Sequence, residues 1–341
     1  MKPNIIAIPD VHGDYTALGD SLKAAEKKLR QECLVQTTPA NLIFLGDLID
    51  RGPQNLEVIN HVVSLKERFK DRVNYICGNH EAMLFQFLYQ PADSDDCPIA
   101  LSATCNFIRN GGLPTLTSLM DIDDCPFFPE FYYRAFQRFS SEKAYNLVVD
   151  NMDSFLQLRN FLAKDKLIRQ FFTFMDPAVI IDDTLFVHGG LTNEFISNNY
   201  RQNHWFEELR LNFAQAVFSG FNNCFESFAK FNNASSHRAG SGVSGPFWTD
   251  RRDFLEMDEQ STVKLVESMS VYGINKMVLG HSIVPKVTTE SLQTTLGDLD
   301  LVFLDTGISD VYRKPYDKQA LVVTEGISYV LDSCGQWQVL N

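Results

Sequence analysis

The sequence predicts an α/β fold: a layered sheet with flanking helices, an inserted helical subdomain and a second sheet. Three observations predict it. Short apolar runs at 4–8, 41–46 and 73–77 read as buried strands, each followed by a polar loop and a helical pattern, so three strand–loop–helix units fall within 90 residues. In each unit the polar residues come directly after the strand, on the edge where open α/β sheets bind ligands. From 101 to about 175 the pattern is helical, and from 284 to 340 it alternates apolar and polar residues as a half-buried sheet does.

The elements follow in order. After the first strand come Pro9-Asp10-Val11-His12-Gly13-Asp14, and residues 15–33 place Leu18, Leu22, Ala25 and Leu29 on one helical face. The run 41–46 ends in Gly46, then Asp47, Asp50 and Arg51, with Gly52-Pro53 breaking the chain. Pro53 suits the first turn of a helix over 53–69. Val73–Cys77 is a third strand, ending in Gly78-Asn79-His80-Glu81 and a further helix. Residues 91–100 are a polar interruption, and helices are expected at 107–108, 113–120, 130–139 and 145–163. Strands follow near 178–181 and 184–187, the second ending at His188-Gly189-Gly190. Residues 192–246 are rich in Phe, Asn and Ser and read as irregular, with a loop at 235–242. A helix over 259–271 and a buried strand at 276–280, ending in His281, precede the tail. We read 1–341 as one domain carrying a helical insertion at 91–175 and an irregular insertion at 192–246 near the cleft.

Composition narrows the function. With 30 Lys and Arg against 43 Asp and Glu, the net charge is −13, so no nucleic acid or anionic membrane partner is expected. Bound cations can still reverse the field locally and admit phosphate. The seven cysteines contain no C-x-x-C pair and read as reduced thiols, although Cys97, Cys105 and Cys125 are close enough for one bridge. The run Ile5–Ile8 is too short for a signal peptide, and no segment approaches the roughly 18 apolar residues of a membrane span. A soluble cytoplasmic or otherwise intracellular protein is expected. Export into a host cell, a longer parent chain and the oligomeric state are left open.

The strand-end residues together are Asp10, His12, Asp47, Asp50, Asn79, His80, His188 and His281. Four of the seven histidines follow predicted strands and adjoin a glycine or a glycine-led motif. One such histidine is usually a hydrogen-bonded loop residue; four, with three carboxylates and an asparagine, point to metal ligation. Mixed imidazole and carboxylate ligands suit Mn, Fe or Zn better than Mg or Ca alone. One carboxylate between two ions can bridge them, and ions roughly 3.5–4 Å apart clamp the attacking and leaving oxygens of a displacement at phosphorus.

In this order, PDVHGD, GDLIDRG, GNHE, HGG and GH resemble the metallophosphoesterase fold, a layered β-sandwich flanked by helices, and more narrowly the phosphoprotein phosphatase family. Phe107–Leu116 and Leu301–Gly307 further resemble N-G-G-x-x-T-L and D-T-G segments of bacterial members. The resemblance spans residues 5 to about 307. It implies two divalent metal ions, one on Asp10, His12 and Asp47, the other on Asp47, Asn79, His188 and His281. It implies that His80, held by Asp50, protonates the leaving group, and that Arg51 and Asn79 bind the phosphoryl oxygens. A carboxylate beside His80 is expected to raise its pKa and favour the acid form. Pro9 stands where the first motif usually has glycine, without removing a ligand. Pro246–Phe254 resembles W-x-R-x-x-F with one extra residue, so Arg251 or Arg252 is the second phosphate-binding arginine. Asn110 is a substrate contact or a helix cap.

His61, His204, His237 and Arg238 read as surface or packing residues. The leading expectation is a phosphatase acting on a phosphoprotein or phosphopeptide through a hydroxide held between two ions. A hydrolase of dinucleoside polyphosphates or RNA caps is the alternative, with Trp205, Phe247 and Trp248 as a base-stacking platform. A catalytically silent metal-bound binding module is the third.

Overall fold

Alternation along the first strand, β1 (Ile5–Ile8), sets the order of layers. Ile5 and Ala7 enter one apolar cluster, Ile6 and Ile8 another, because successive strand side chains point to opposite faces. The first cluster also takes Ile43, Ile76, Phe186, Val278 and Val302, and is the seam between two sheets. The second lies beneath the helices. Each large aliphatic or aromatic side chain buried in these clusters contributes about 1.5–3 kcal/mol. The computed structural model describes residues 2–32, 39–92, 99–120, 139–222, 231, 245–307, 320–331 and 336–340. It gives the predicted α/β class, with two sheets flanked by helices.

In the first sheet β1 pairs in parallel with β2 (Asn41–Phe44), β2 with β3 (Val73–Ile76) and β3 with β4 (Met175–Asp176). In the second, β5 (Ala178–Ile181) forms a hairpin with β6 (Thr184–Val187), and β6, β7 (Lys276–Leu279) and β9 (Gly297–Phe303) run parallel. The first sheet therefore holds four parallel strands and the second three, and in each sheet three of them (β1, β2 and β3; β6, β7 and β9) supply loops from their C-terminal ends to a common edge. The tail does not form the second sheet alone. Its β8 (Thr288–Thr294) and β9 belong there, but β10 (Leu321–Thr324), β11 (Ile327–Leu331) and β12 (Trp337–Val339) return to the first sheet. Strand β10 lies antiparallel on β1, with Ile6 opposite Val322. This covers what would otherwise be an open edge beside the site strands.

Helix α1 spans Tyr15–Glu32, as expected. Helix α2 (Asn55–Phe69) starts later than expected, leaving Pro53 outside it. The cause is Asn55, whose Nδ2 donates to Gly52 O at 2.6 Å and whose Oδ1 accepts the Asp50 N–H at 2.7 Å, so a tight turn is closed before the helix begins. Helix α3 (Asn79–Tyr89) follows β3 directly.

Between β3 and β4 lie α4 (Leu101–Arg109), α5 (Leu113–Leu119), α6 (Ser141–Asp150), α7 (Met152–Leu162) and α8 (Lys166–Thr173). The single helix expected over 145–163 is two, broken at Asn151 (φ −127°, ψ 28°), whose Nδ2 donates to Leu147 O. The helix expected at 130–139 lies almost wholly outside the described residues. The irregular insertion expected over 192–246 is corrected by α9 (Asn193–Asn199) and α10 (Trp205–Phe221). Apolar residues on several sides of α10, including exposed Leu211 and Phe218, blur its period in the sequence. Residues 223–230 and 232–244, with the loop expected at 235–242, lie outside the described residues. Helices α11 (Arg251–Leu255) and α12 (Glu259–Ser270) are the last of the described helices.

Candidate metal centre

Six parallel strands end at the site. The loop after β1 carries Asp10 and His12, that after β2 carries Asp47, Asp50 and Arg51, and the β3–α3 junction carries Asn79, His80 and Glu81. In the second sheet β6 leads to His188, β7 to His281 and β9 to Asp305. Among the described non-glycine residues, eight have positive φ, and five of them are His12, Asp47, Asp50, Arg51 and His281. Backbone strain of this kind persists only where surrounding structure imposes it, and it collects at functional sites. Two glycines permit the close approach. A Cβ on Gly78 would lie 2.3 Å from Asp47 Oδ1, and one on Gly46 (φ +97°) would lie 2.7 Å from Gly78 N.

Glu81 organises the β2 loop. Its buried carboxylate accepts N–H bonds from Asp47 (2.8 Å), Leu48 (2.8 Å), Ile49 (3.3 Å) and Gly78 (2.9 Å). The sequence shows Glu81 within GNHE but gives it no role. Glu81→Ala would leave a buried row of donors without an acceptor and is expected to destabilise the fold by about 3–5 kcal/mol. Urea denaturation checks this; a loss below about 1 kcal/mol would mean water replaces the carboxylate.

Among the described residues two groups are placed so that they could hold a metal ion, and Asp47 belongs to both: His12, Asp47 and His80, and Asp47, His188 and His281. The ring orientations fit ligation. His188 Nδ1 lies 2.7 Å from Leu45 O and His12 Nδ1 lies 3.1 Å from Ile49 O, which fixes Nδ1–H and leaves each Nε2 with a lone pair. The Asn79 amide lies 3.0 Å from His188 Nε2 and 3.1 Å from His281 Nδ1. With its NH2 inward it donates to these rings and to Asp47; with its oxygen inward it offers a lone pair to the same space. Asp10 accepts the His281 N–H at 3.2 and 3.3 Å and stands beside Asp47.

His80 and Asp50 form a buried pair, Nδ1 to Oδ2 at 2.7 Å. Asp50 is held on its other side by the hydroxyl of Thr115. The expectation that Asp50 raises His80 is corrected: burial, helped by Arg51 and His188, outweighs the Asp47 charge and lowers the imidazole to about 3, while burial raises Asp50 to about 8. At neutral pH the contact still holds one shared proton, which either partner can carry. Arg51 reaches across the site, with Nη1 3.1 Å from His12 Nε2 and Nη2 3.0 Å from His80 Nε2.

The remaining candidates sit differently. Arg251 meets the His281 turn through its backbone, its N–H donating to Ser282 Oγ at 2.9 Å. Its guanidinium, however, is engaged by Glu290 of β8. Arg252 is exposed. Asn110 caps α4 by donating to Asn106 O at 2.8 Å, and the next residue, Gly111, accepts the Arg51 N–H at 2.9 Å. The segment around Asn110 thus positions Arg51. Trp205 and Phe247 are 0% exposed, so they offer no face to a base. Trp248 packs edge-on against His281 with ring centroids 5.8 Å apart.

The family model for calcineurin-like phosphoesterases matches residues 3–285. The chain belongs to that family. Among curated relatives of this phosphoesterase, the asymmetrical bis(5'-nucleosyl)-tetraphosphatase of Bacillus velezensis is 33% identical over 81 residues, 24% of this chain and 32% of that protein. A Caenorhabditis elegans protein named as a serine/threonine-protein phosphatase is 46% identical over 86 residues, 25% of this chain and 21% of the relative. The matches thus span a third or less of these relatives. A cold-active protein-tyrosine phosphatase of a psychrophilic Shewanella shares the fold, with a TM-score of 0.56 and 17% identity over 100% of this chain and 81% of that one. A point mutant of a cold-active protein tyrosine phosphatase gives a TM-score of 0.59 at 17% identity, covering 100% of this chain and 81% of that one. Among the described residues no helix is long and apolar enough to cross a membrane.

The donor set of this phosphoesterase suits the divalent ions its family uses. Burial lowers His188 to about 4 and His281 to about 3, so both are neutral at physiological pH and need lose no proton to ligate. Burial raises Asp50 and Glu81 to about 8 and Asp305 to about 7. A carboxylate with a raised folded pKa favours folding at low pH, and that stability is lost as pH rises through the folded value. The lowered histidines act oppositely, but only below about pH 6.5, their unfolded value. Between pH 6.5 and 8 the carboxylates therefore act alone. In EDTA the melting temperature is expected to fall across this window, and Mn²⁺ is expected to flatten the fall. A flat profile in EDTA would show that these carboxyls are already ionised.

Proposed function

We propose that this chain is a metal-dependent phosphoprotein phosphatase that hydrolyses phosphomonoesters of Ser or Thr, Tyr, or both, with two divalent ions of which Mn fits the ligands best. The observation that supports the proposal most is the pair of candidate ligand groups sharing Asp47, with His80 of the first group paired to Asp50 and reached by Arg51. Such ions supply Lewis acidity and water activation. Asp10, His12 and Asp47 would hold one, and Asp47, Asn79, His188 and His281 the other.

The rest is the work of the chain's own side chains. Arg51 presents a planar fork of donors that matches phosphoryl oxygens bidentately, and Asn79 adds an amide beside it. His80 Nε2 faces the same space while Nδ1 rests on Asp50, so a proton carried on Nε2 would pass to a departing alkoxide while the proton shared with Asp50 stays at Nδ1. Thr115 and the Asn55 amide fix Asp50 and thereby the ring. Arg251 would join phosphate binding on leaving Glu290, with exposed Arg252 as the alternate. The burial of Trp205 and Phe247 favours phosphoproteins over dinucleotides, although the Bacillus relative keeps nucleotides in the test.

The test is turnover of phosphoserine, phosphothreonine and phosphotyrosine peptides and diadenosine tetraphosphate with Mn²⁺, Fe²⁺ or Zn²⁺. Peptide turnover is the expected result. Turnover of the dinucleotide alone would move the assignment to nucleotide hydrolysis, and no turnover at all would leave a binding module.

A further inference from the structure

Of the six parallel strands that end at the site, five deliver residues already given a role. The sixth, β9, runs into Asp305. This residue is 0% exposed. Its backbone is fixed: Asp305 O accepts the Val284 N–H at 2.8 Å, and the preceding Leu304 N–H donates to Leu279 O at 2.8 Å. Asp305 is thereby locked to the turn that carries His281. Its Oδ1 accepts the Gly307 N–H at 2.8 Å, while its buried Oδ2 has no hydrogen-bond donor among the described residues. The side chains that act on it are Asp10, whose carboxyl is close enough to share a proton with it, Asp47 and Arg51.

A buried carboxylate oxygen without a donor costs several kcal/mol on the scale of an uncompensated polar group. Here it also stands among two further carboxylates. Packing cannot be the reason, since an asparagine would fill the same volume and keep the Gly307 bond. A proton shared with Asp10 would relieve one pair of oxygens and leave the Asp47 charge beside them, whereas a cation would remove both penalties at once.

We propose that Asp305 belongs to the metal centre, as the carboxylate that charges and orients the Asp10 side so that this side takes a divalent cation. The inference rests on the two-metal reading above. It adds a residue outside both ligand groups, on the one site strand so far without a role.

The test is calorimetric titration of Mn²⁺ into the metal-free protein and into Asp305→Asn, with melting temperatures in EDTA and in saturating Mn²⁺. The wild type is expected to bind two ions. The variant is expected to bind the ion on the Asp10 side at least about tenfold more weakly, the range seen for outer partners of metal ligands, and the other within about twofold. Asp10→Asn should weaken the same event, and the double variant should be little worse than Asp10→Asn alone. In EDTA, Asp305→Asn should melt at or above the wild type, and in Mn²⁺ below it. Two unchanged binding events would overturn the proposal. So would a variant less stable by the same amount in both conditions, which would make Asp305 only an acceptor for Gly307. If the wild type bound no Mn²⁺, the two-metal reading itself would fail, a result distinct from either.

Discussion

Asp47→Asn is expected to lower kcat on phosphopeptides by more than about 10³-fold and to cost the protein both ions. Losing an outer partner of a ligand typically costs 10–100-fold in affinity or activity, and Asp47 is no outer partner. It is the residue common to both ligand groups, with Oδ1 3.4 Å from His188 Nε2 and Oδ2 3.8 Å from the Nε2 atoms of His12 and His80. Asparagine keeps the shape but halves the acceptor capacity and removes the charge, so neither group keeps its shared ligand. The fold should survive, because the Asp47 backbone is held independently: its N–H by Glu81, and its carbonyl by Val11 and His12. Metal content and steady-state kinetics check this together. A variant that kept two ions and a tenth of the activity would exclude Asp47 as the bridge.

That contrast between side chain and backbone also explains what the sequence made legible. Residues whose chemistry is tied to a strand end could be read directly: Asp10, His12, Asp47, Asn79, His80, His188 and His281 each follow an apolar run, and the structure gathers them at one edge. What the sequence hid depends on partners far away in the chain. Glu81 looks like one more acidic residue on a helix until its four amide donors across the β2 loop are known. Thr115 is 65 residues from the Asp50 it holds. The tail's return to β1 had no local signal, since alternation describes a half-buried strand without saying which sheet it joins. The lowered pKa of His80 has no sequence signal, because a neighbouring carboxylate is visible in sequence and the depth of burial is not.

The second large effect separates chemistry from binding. His80→Asn is expected to lower kcat on a phosphoserine peptide by about 10²–10⁴-fold, the usual contribution of a positioned general acid. On p-nitrophenyl phosphate the same variant should lose less than about tenfold, because that leaving group departs as a stable anion and needs no proton in the transition state. KM should change little for either substrate, since Arg51 and the ions, rather than His80, would hold the phosphoryl group. Asp50→Asn should show the same leaving-group dependence in weaker form: it leaves the imidazole in place but removes the partner that shares its proton at 2.7 Å. The alternative is that His80 serves as a ligand of the first group, where its Nε2 is also within reach. A ligand acts before the leaving group matters. Equal losses on both substrates, accompanied by loss of an ion, would therefore assign His80 to the metal and leave the proton to water.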